Sequence, residues 1–185
     1  MRRRCGLALA PALLAGCAVA PPPAALPRVA LDNPGFEEAA RNDRCVPGWN
    51  CSMHADPDSF RFFLDAGGAD GAGHSLCIEP LTHEPWGKAT QAVVDPSVRG
   101  RRVRFSAAVR TLDVAGRGAA LQAVIHGNSG QILAVREEWT AGTRPWQRMS
   151  LEVDVPAATH DVEVGLALEG TGRACMDDTI LEIVR

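Results

Sequence analysis

The chain contains no tyrosine, and aromatic residues make up only 5% of it. Four tryptophans and five phenylalanines must therefore furnish both the core and any ring-stacking surface. Neither sign of charge prevails: 19 Lys and Arg stand against 22 Asp and Glu, a formal net charge of −3. That excludes the strongly basic face with which proteins hold nucleic acid. No apolar run reaches the roughly 20 residues that a membrane-spanning helix needs. Catalytic spacings are missing as well. His54, His74, His83, His126 and His160 are scattered, with no HExxH or related pattern. Gly73-His74-Ser75-Leu76 lacks the GxSxG elbow of a serine nucleophile. Glu137 and Glu138 are adjacent, so on a strand they face opposite sides and cannot flank one glycosidic bond.

What is present begins with an export signal. Arg2, Arg3 and Arg4 precede an apolar run over residues 5–15, broken only by Gly6 and Pro11. It has the length of a cleaved signal. The run ends in Leu14-Ala15-Gly16-Cys17, which resembles the lipobox of bacterial lipoproteins. The resemblance implies a signal peptide of residues 1–16 and a lipidated Cys17 as the new N-terminus, anchored stably through several acyl chains. An ordinary secretory signal cut after a small residue such as Ala20 is the alternative. Ala18 stands where an inner-membrane retention signal has aspartate, which implies sorting to the outer membrane, facing the periplasm or the cell surface. Residues 17–30 include Pro21-Pro22-Pro23 and Pro27, a composition that behaves as a semi-rigid spacer.

Residues 31–185 have the size of one domain. Four cysteines remain there, Cys45, Cys51, Cys77 and Cys175. An even number in an exported domain implies two disulfides, with three connectivities open. Cys45–Cys51 would close a short loop around Pro47-Gly48-Trp49, and Cys77–Cys175 would join an early strand to a late one. That is the preferred pairing. From Leu76 onward, apolar and polar residues alternate with a period of two, as strands with one buried face require. Val103, Phe105, Ala107 and Val109 form one such set; Leu151, Val153 and Val155 a second; Val162, Val164, Leu166 and Leu168 a third. Residues 121–126 and 131–135 read as a hairpin across Gly127-Asn128-Ser129-Gly130, and residues 179–184 as the last strand. Arg99, Arg101, Arg102 and Arg104 read as the solvent face of one strand. No segment sustains a helical period, so the expectation is all-β: a sandwich or barrel.

The order of landmarks carries a further likeness. Asn33-Pro34-Gly35-Phe36-Glu37 opens the domain and Pro47-Gly48-Trp49 follows. Then come Gly73-His74-Ser75-Leu76-Cys77-Ile78, Trp86-Gly87-Lys88 and the strand from Gly100 to Thr111. Gly142-Thr143, Pro145-Trp146-Gln147-Arg148 and finally Met176-Asp177-Asp178-Thr179-Ile180 close the series. It resembles the galactose-binding-like jelly rolls, in particular carbohydrate-binding modules of the CenC type (families 4, 9 and 22). It is closer still to a related bacterial domain whose ligand is generally not assigned. The likeness covers residues 31–184 and implies a jelly-roll β-sandwich. Such sequences usually carry a large aromatic where this chain has Cys175. A cysteine there, with Cys77 in another strand, is what a disulfide inside the sandwich would need.

The resemblance also implies a structural calcium where the N-terminal segment meets the last strand. Glu37 and Asp177 would supply carboxylates, with Asp178 as the alternative. By alternation Asp177 shares a face with Cys175, Leu181 and Ile183, and so points inward. The glycine-rich stretch 65–73 reads as a flexible surface turn, since it lacks the register of a calcium loop. For sugar, Trp49 and Trp146 sit in landmarks that are usually core, whereas Trp86 and Trp139 lie in or beside loops and are the better ligand contacts. The expected function is thus non-catalytic: a membrane-anchored module that binds a glycan or other envelope component. The alternative is an envelope scaffold or protein-interaction domain without a small-molecule site.

Overall fold

In a computed structural model of the chain, the described residues are 25–38 and 45–184. The signal segment 1–16, Cys17 and the spacer up to residue 24 lie outside them. Eight strands follow one another: β1 (Arg28–Val29), β2 (Asn50–Met53), β3 (Phe60–Ala66), β4 (His74–Pro80), β5 (Gly87–Val93), β6 (Arg102–Gly127), β7 (Ile132–Asp154) and β8 (Thr159–Ile183). β1 falls within the stretch assigned to the spacer, and its pairing with β8 carries the sheet back to Arg28.

All the pairings are antiparallel, and the three longest strands serve two layers each. The first half of β8 lies between β5 and the second half of β6, while its second half lies between β4 and the first half of β6. β7 follows β6 along both halves. One sheet therefore runs β2–β5–β8–β6–β7, and the other runs β3–β4–β8–β6–β7 with β1 beside β4. Between the two lies a jelly-roll core of Phe105, Leu121, Ile125, Leu166, Leu168, Met176 and Leu181.

The strands cross from one layer to the other at bends built on glycine. Gly116 and Gly118 in β6, Gly142 in β7, and Gly170 and Gly172 in β8 all have positive φ. The register shifts there in both ladders. A side chain at Gly170 would collide with the Ala115 carbonyl, so only glycine permits the two backbones to approach this closely. The hairpin expected at residues 127–130 is present, closed by Gly127 N donating to Gln131 O at 2.8 Å.

Both preferred disulfides are formed, Cys45–Cys51 and Cys77–Cys175. The second is not inside the sandwich. Cys77 and Cys175 face each other on neighbouring strands in a row that continues through Phe63 and Arg110. The intervening residues Leu76, Ile78, Ala174 and Met176 belong to the core cluster. Because side chains alternate, the cysteines point away from it, beneath a layer in which Arg61 and Arg173 lie over Phe63. Of the arginine cluster, Arg102 and Arg104 are on β6 and pair across the ladder with Asp154 and Glu152. Arg99 and Arg101 belong to the turn before it.

Candidate ligand face and carboxylate cluster

Residues paired across strands share a face, which allows the outward surface of the first sheet to be read row by row. Ser52, Lys88, Ala167, Ala120 and Trp139 form one row from β2 to β7, and Asn50, Thr90, Gly165, Gln122 and Glu137 the next. The row between them, Cys51, Ala89, Leu166 and Leu121, faces the core. The outward surface has a low middle, made of Ala120, Ala167 and Gly165. Larger side chains rise on either side of it. Gly165 tolerates nothing bigger, since a Cβ there would meet the Ala89 carbonyl.

Trp139 and Trp86 flank this surface and do not form a joint platform. Trp139 stands on β7 with the Arg117 guanidinium 4.0 Å above its ring, and its indole N–H donates to Glu137 at 3.2 Å. Arg117 is held by Glu137 and Glu169. Trp86 immediately precedes β5. The Lys88 ammonium lies 5.7 Å from its ring centroid, and the His54 ring meets it edge-on. Three inter-strand steps of about 4.8 Å each separate Lys88 from Trp139. Both tryptophans are partly exposed. Trp49 is buried against Phe36 and donates its indole N–H to the Asp32 carbonyl. Trp146 is half-buried on the other sheet beneath Arg110.

Two polar groups on this face, neither singled out by sequence reasoning, have no partner among the described residues. Gln122 is 6% exposed, yet its side-chain amide nitrogen makes no hydrogen bond. The Ser52 hydroxyl is in the same condition. A buried polar atom without a partner costs about 1–3 kcal/mol, a cost that an acceptor from outside the chain, water included, would relieve. Alternation assigns Gln122 to the outward face, but nothing in the sequence distinguishes it from any other polar strand residue. At the rim, where the strands bend, a cleft of about 900 Å³ is lined by the loop after β4 together with Arg117, Glu169 and Gly170.

Further along the same face, Asp161 accepts hydrogen bonds from the rings of His126 and His160, each at 2.9 Å. Burial pushes its carboxyl up, but the two imidazoles outweigh that and hold it below the ordinary aspartate range. A lowered carboxyl contributes stability above its unfolded value and loses it as pH falls through the folded one. Asp161→Asn is accordingly expected to melt earlier than wild type at neutral pH. The gap should close below about pH 4, the ordinary aspartate value; melting curves across a pH series read both.

The carboxylates expected to hold calcium are placed unequally. Asp177 is buried, with one oxygen accepting from Ala69 N and the other from Asp178 N, both at 2.7 Å. Glu37 accepts from His74 N at 3.0 Å, at the other end of the same glycine-rich loop. That loop is not slack, because Gly67, Gly68 and Gly71 all donate within it. Asp178 does not join them: it has φ 48° and turns towards Arg148, 3.8 Å away. The same residue makes a bulge, three residues of β8 spanning two of β6 between Ala108 and Ser106. This corrects the alternation argument. Asp177 stays on the outward face with Cys175, whereas Leu181 and Ile183 face the core. The 35–37 segment and the glycine loop cover Asp177 from outside, and a side chain at Gly68 would press on its carboxylate. Burial is the chief reason that its carboxyl is pushed up; the negative charges of Asp178 and Glu37 add to it, against the two amide bonds. Glu37 and Asp177 thus stand at the two ends of one loop, each carboxylate accepting an amide hydrogen bond from it. Among the described residues, the one set of three ligand-type groups within 4.8 Å is Asp65, Cys77 and Cys175, whose sulfurs are already bonded to each other.

No family model matches the chain, and no curated protein does. Solved structures do. The chain superimposes on the C-terminal family 22 carbohydrate-binding module of Clostridium thermocellum Xyn10B with a TM-score of 0.52, 18% identity, and coverage of 82% of this chain and 94% of that one. A family 4 module (CBM4) gives 0.56 at 16% identity, covering 83% and 99%. The fold is that of the carbohydrate-binding jelly rolls. TmCBM61, solved in complex with β-1,4-galactotriose, matches at 0.51 and 15% identity, covering 83% and 97%. The enzymatically active domain of bacteriophage CBA120 tailspike protein 4 matches at 0.63 and 14% identity. Here the chain covers 21% of that protein, so the likeness is to one part of it.

Proposed function

We propose that this chain is a non-catalytic carbohydrate-binding module, held at the cell envelope by a lipid on Cys17, whose ligand lies across the outward face of the first sheet. The observation that carries this is Gln122, nearly buried yet unpartnered at its amide nitrogen, beside a low floor of alanine and glycine. Sugar hydroxyls would supply the acceptors that Gln122 and Ser52 lack once the side chains over them part. An aromatic ring at the edge offers the apolar face on which a pyranose rests. Trp139 is the principal contact, and Trp86, across the face, is the second. No pair of carboxylates on this face is needed for binding, and none is assigned a catalytic role. A calcium ion held by Glu37 and Asp177, together with backbone carbonyls, would serve structure by neutralising a buried carboxylate cluster.

The test is retention on neutral glycans of the full chain and its variants. Trp139→Ala and Gln122→Ala should each weaken binding by about ten-fold or more while the melting temperature stays near that of wild type. Folded variants that retain glycan unchanged would sink the assignment.

A further inference from the structure

The second sheet carries a separate pocket on its own outward side. It holds about 400 Å³ and is lined by Arg110, Arg144 and Arg173 above Leu112, Pro145 and Cys175. Three arginines thus line one largely apolar cavity with no carboxylate in its wall. The counter-charges nearby stand outside it: Arg110 pairs with Asp65 at 2.8 Å, and Arg173 with Glu79 at 3.2 Å. Arg144 is exposed and makes no ion pair among the described residues. The Arg173 Nε–H is buried without an acceptor. Arg110 is further braced by the Trp146 ring, 4.8 Å from its guanidinium carbon. With Arg110 and Arg173 neutralised from outside, Arg144 is the cation at this cavity left for an anionic group to pair with. The rest of the lining is mostly apolar and includes Leu112, Pro145 and Cys175. A cavity of this size, apolar below and polar at a few fixed points, suits a small organic ligand better than a bare ion.

We infer that this pocket is a second, independent ligand site that takes a carboxylate-bearing sugar, a uronate, with its ring over Leu112 and Pro145 and its carboxylate among Arg110, Arg144 and Arg173. Planar guanidinium groups match a carboxylate in paired geometry, which sets this chemistry apart from that of the opposite face. The inference rests on the carbohydrate reading of the fold but not on the site assigned to the first sheet. The two surfaces belong to different layers and share no residue.

Binding of tri-galacturonate and of neutral xylohexaose to the full chain separates the two sites. Tri-galacturonate should bind the wild type, weaken steeply with added salt, and lose about ten-fold or more in affinity in Arg144→Ala. Arg144 is exposed, so that variant should keep the wild-type melting temperature. Trp139→Ala should leave tri-galacturonate binding unchanged. No binding of tri-galacturonate, or binding indifferent to Arg144→Ala, would overturn the second site, whatever xylohexaose does. Loss of tri-galacturonate in Trp139→Ala would also overturn it, by returning the acid to the first face. If the acid binds as described and xylohexaose does not bind at all, the pocket stands and the first-sheet assignment for that glycan fails.

Discussion

Replacing Cys77 and Cys175 together by alanine is expected to cost about 4–5 kcal/mol of stability, and the same change at Cys45 and Cys51 only about 2 kcal/mol. The difference comes from the chain that each bond closes, 98 residues in the first case and 6 in the second. A longer loop removes more freedom from the unfolded chain. For a domain of this size the larger loss corresponds to roughly 10–20 °C in melting temperature. Position adds to length. Cys77–Cys175 joins β4 to β8, the strand to which both layers are attached, whereas Cys45–Cys51 ties down the entry to β2. Alanine is the right replacement at 77 and 175, because both residues are buried there and a hydroxyl would lack partners. Thermal or urea melts of the two double variants make the comparison directly. Equal losses would mean that loop length does not govern this domain.

Calcium at about 100 times its dissociation constant is expected to raise the stability of the wild type by about 2.7 kcal/mol, and Asp177→Ala to abolish the rise. Asp177, Asp178 and Glu37 are close enough for each negative charge to disfavour ionisation of Asp177. Burial and those two charges disfavour the ionised form of Asp177, and a bound cation would offset both. Chelator should lower the melting temperature of wild type and leave Asp177→Ala unmoved. Asp178→Ala is the informative control: its side chain is turned to Arg148, so that variant should keep the calcium response. A melting temperature indifferent to calcium in wild type would remove the ion from the account of this fold.

Much of the sandwich was legible because alternation is a strong signal where one face is buried. The sets at 103–109, 151–153 and 162–168 lie on strands with those apolar residues inward, and Val155, just past the end of β7, is buried with them. Less legible was that β6, β7 and β8 pass unbroken from one layer to the other. Glycines such as Gly116 and Gly170 look like strand ends in a sequence, and here they are corners within strands. β2 and β3 escaped notice for another reason. Phe60-Arg61-Phe62-Phe63-Leu64 has apolar residues on both sides, since Phe63 lies under Arg61 and Arg173 on the outward face. The Asp178 bulge shifted the parity of β8 by one, which alternation alone cannot reveal. At the candidate site, Trp86 and Trp139 were visible as tryptophans near loops. Gln122 and Ser52 were not, because what marks them is the absence of a partner, a property that exists only once neighbours are in place.

The corners in β6 and β8 have one more consequence. A sandwich of two independent sheets has a seam, along which one layer could be lifted, exchanged or supplied by another chain. Here the seam is crossed three times by continuous backbone. Neither half can leave with its own hydrogen bonds intact, so the domain offers no natural place to be split in two.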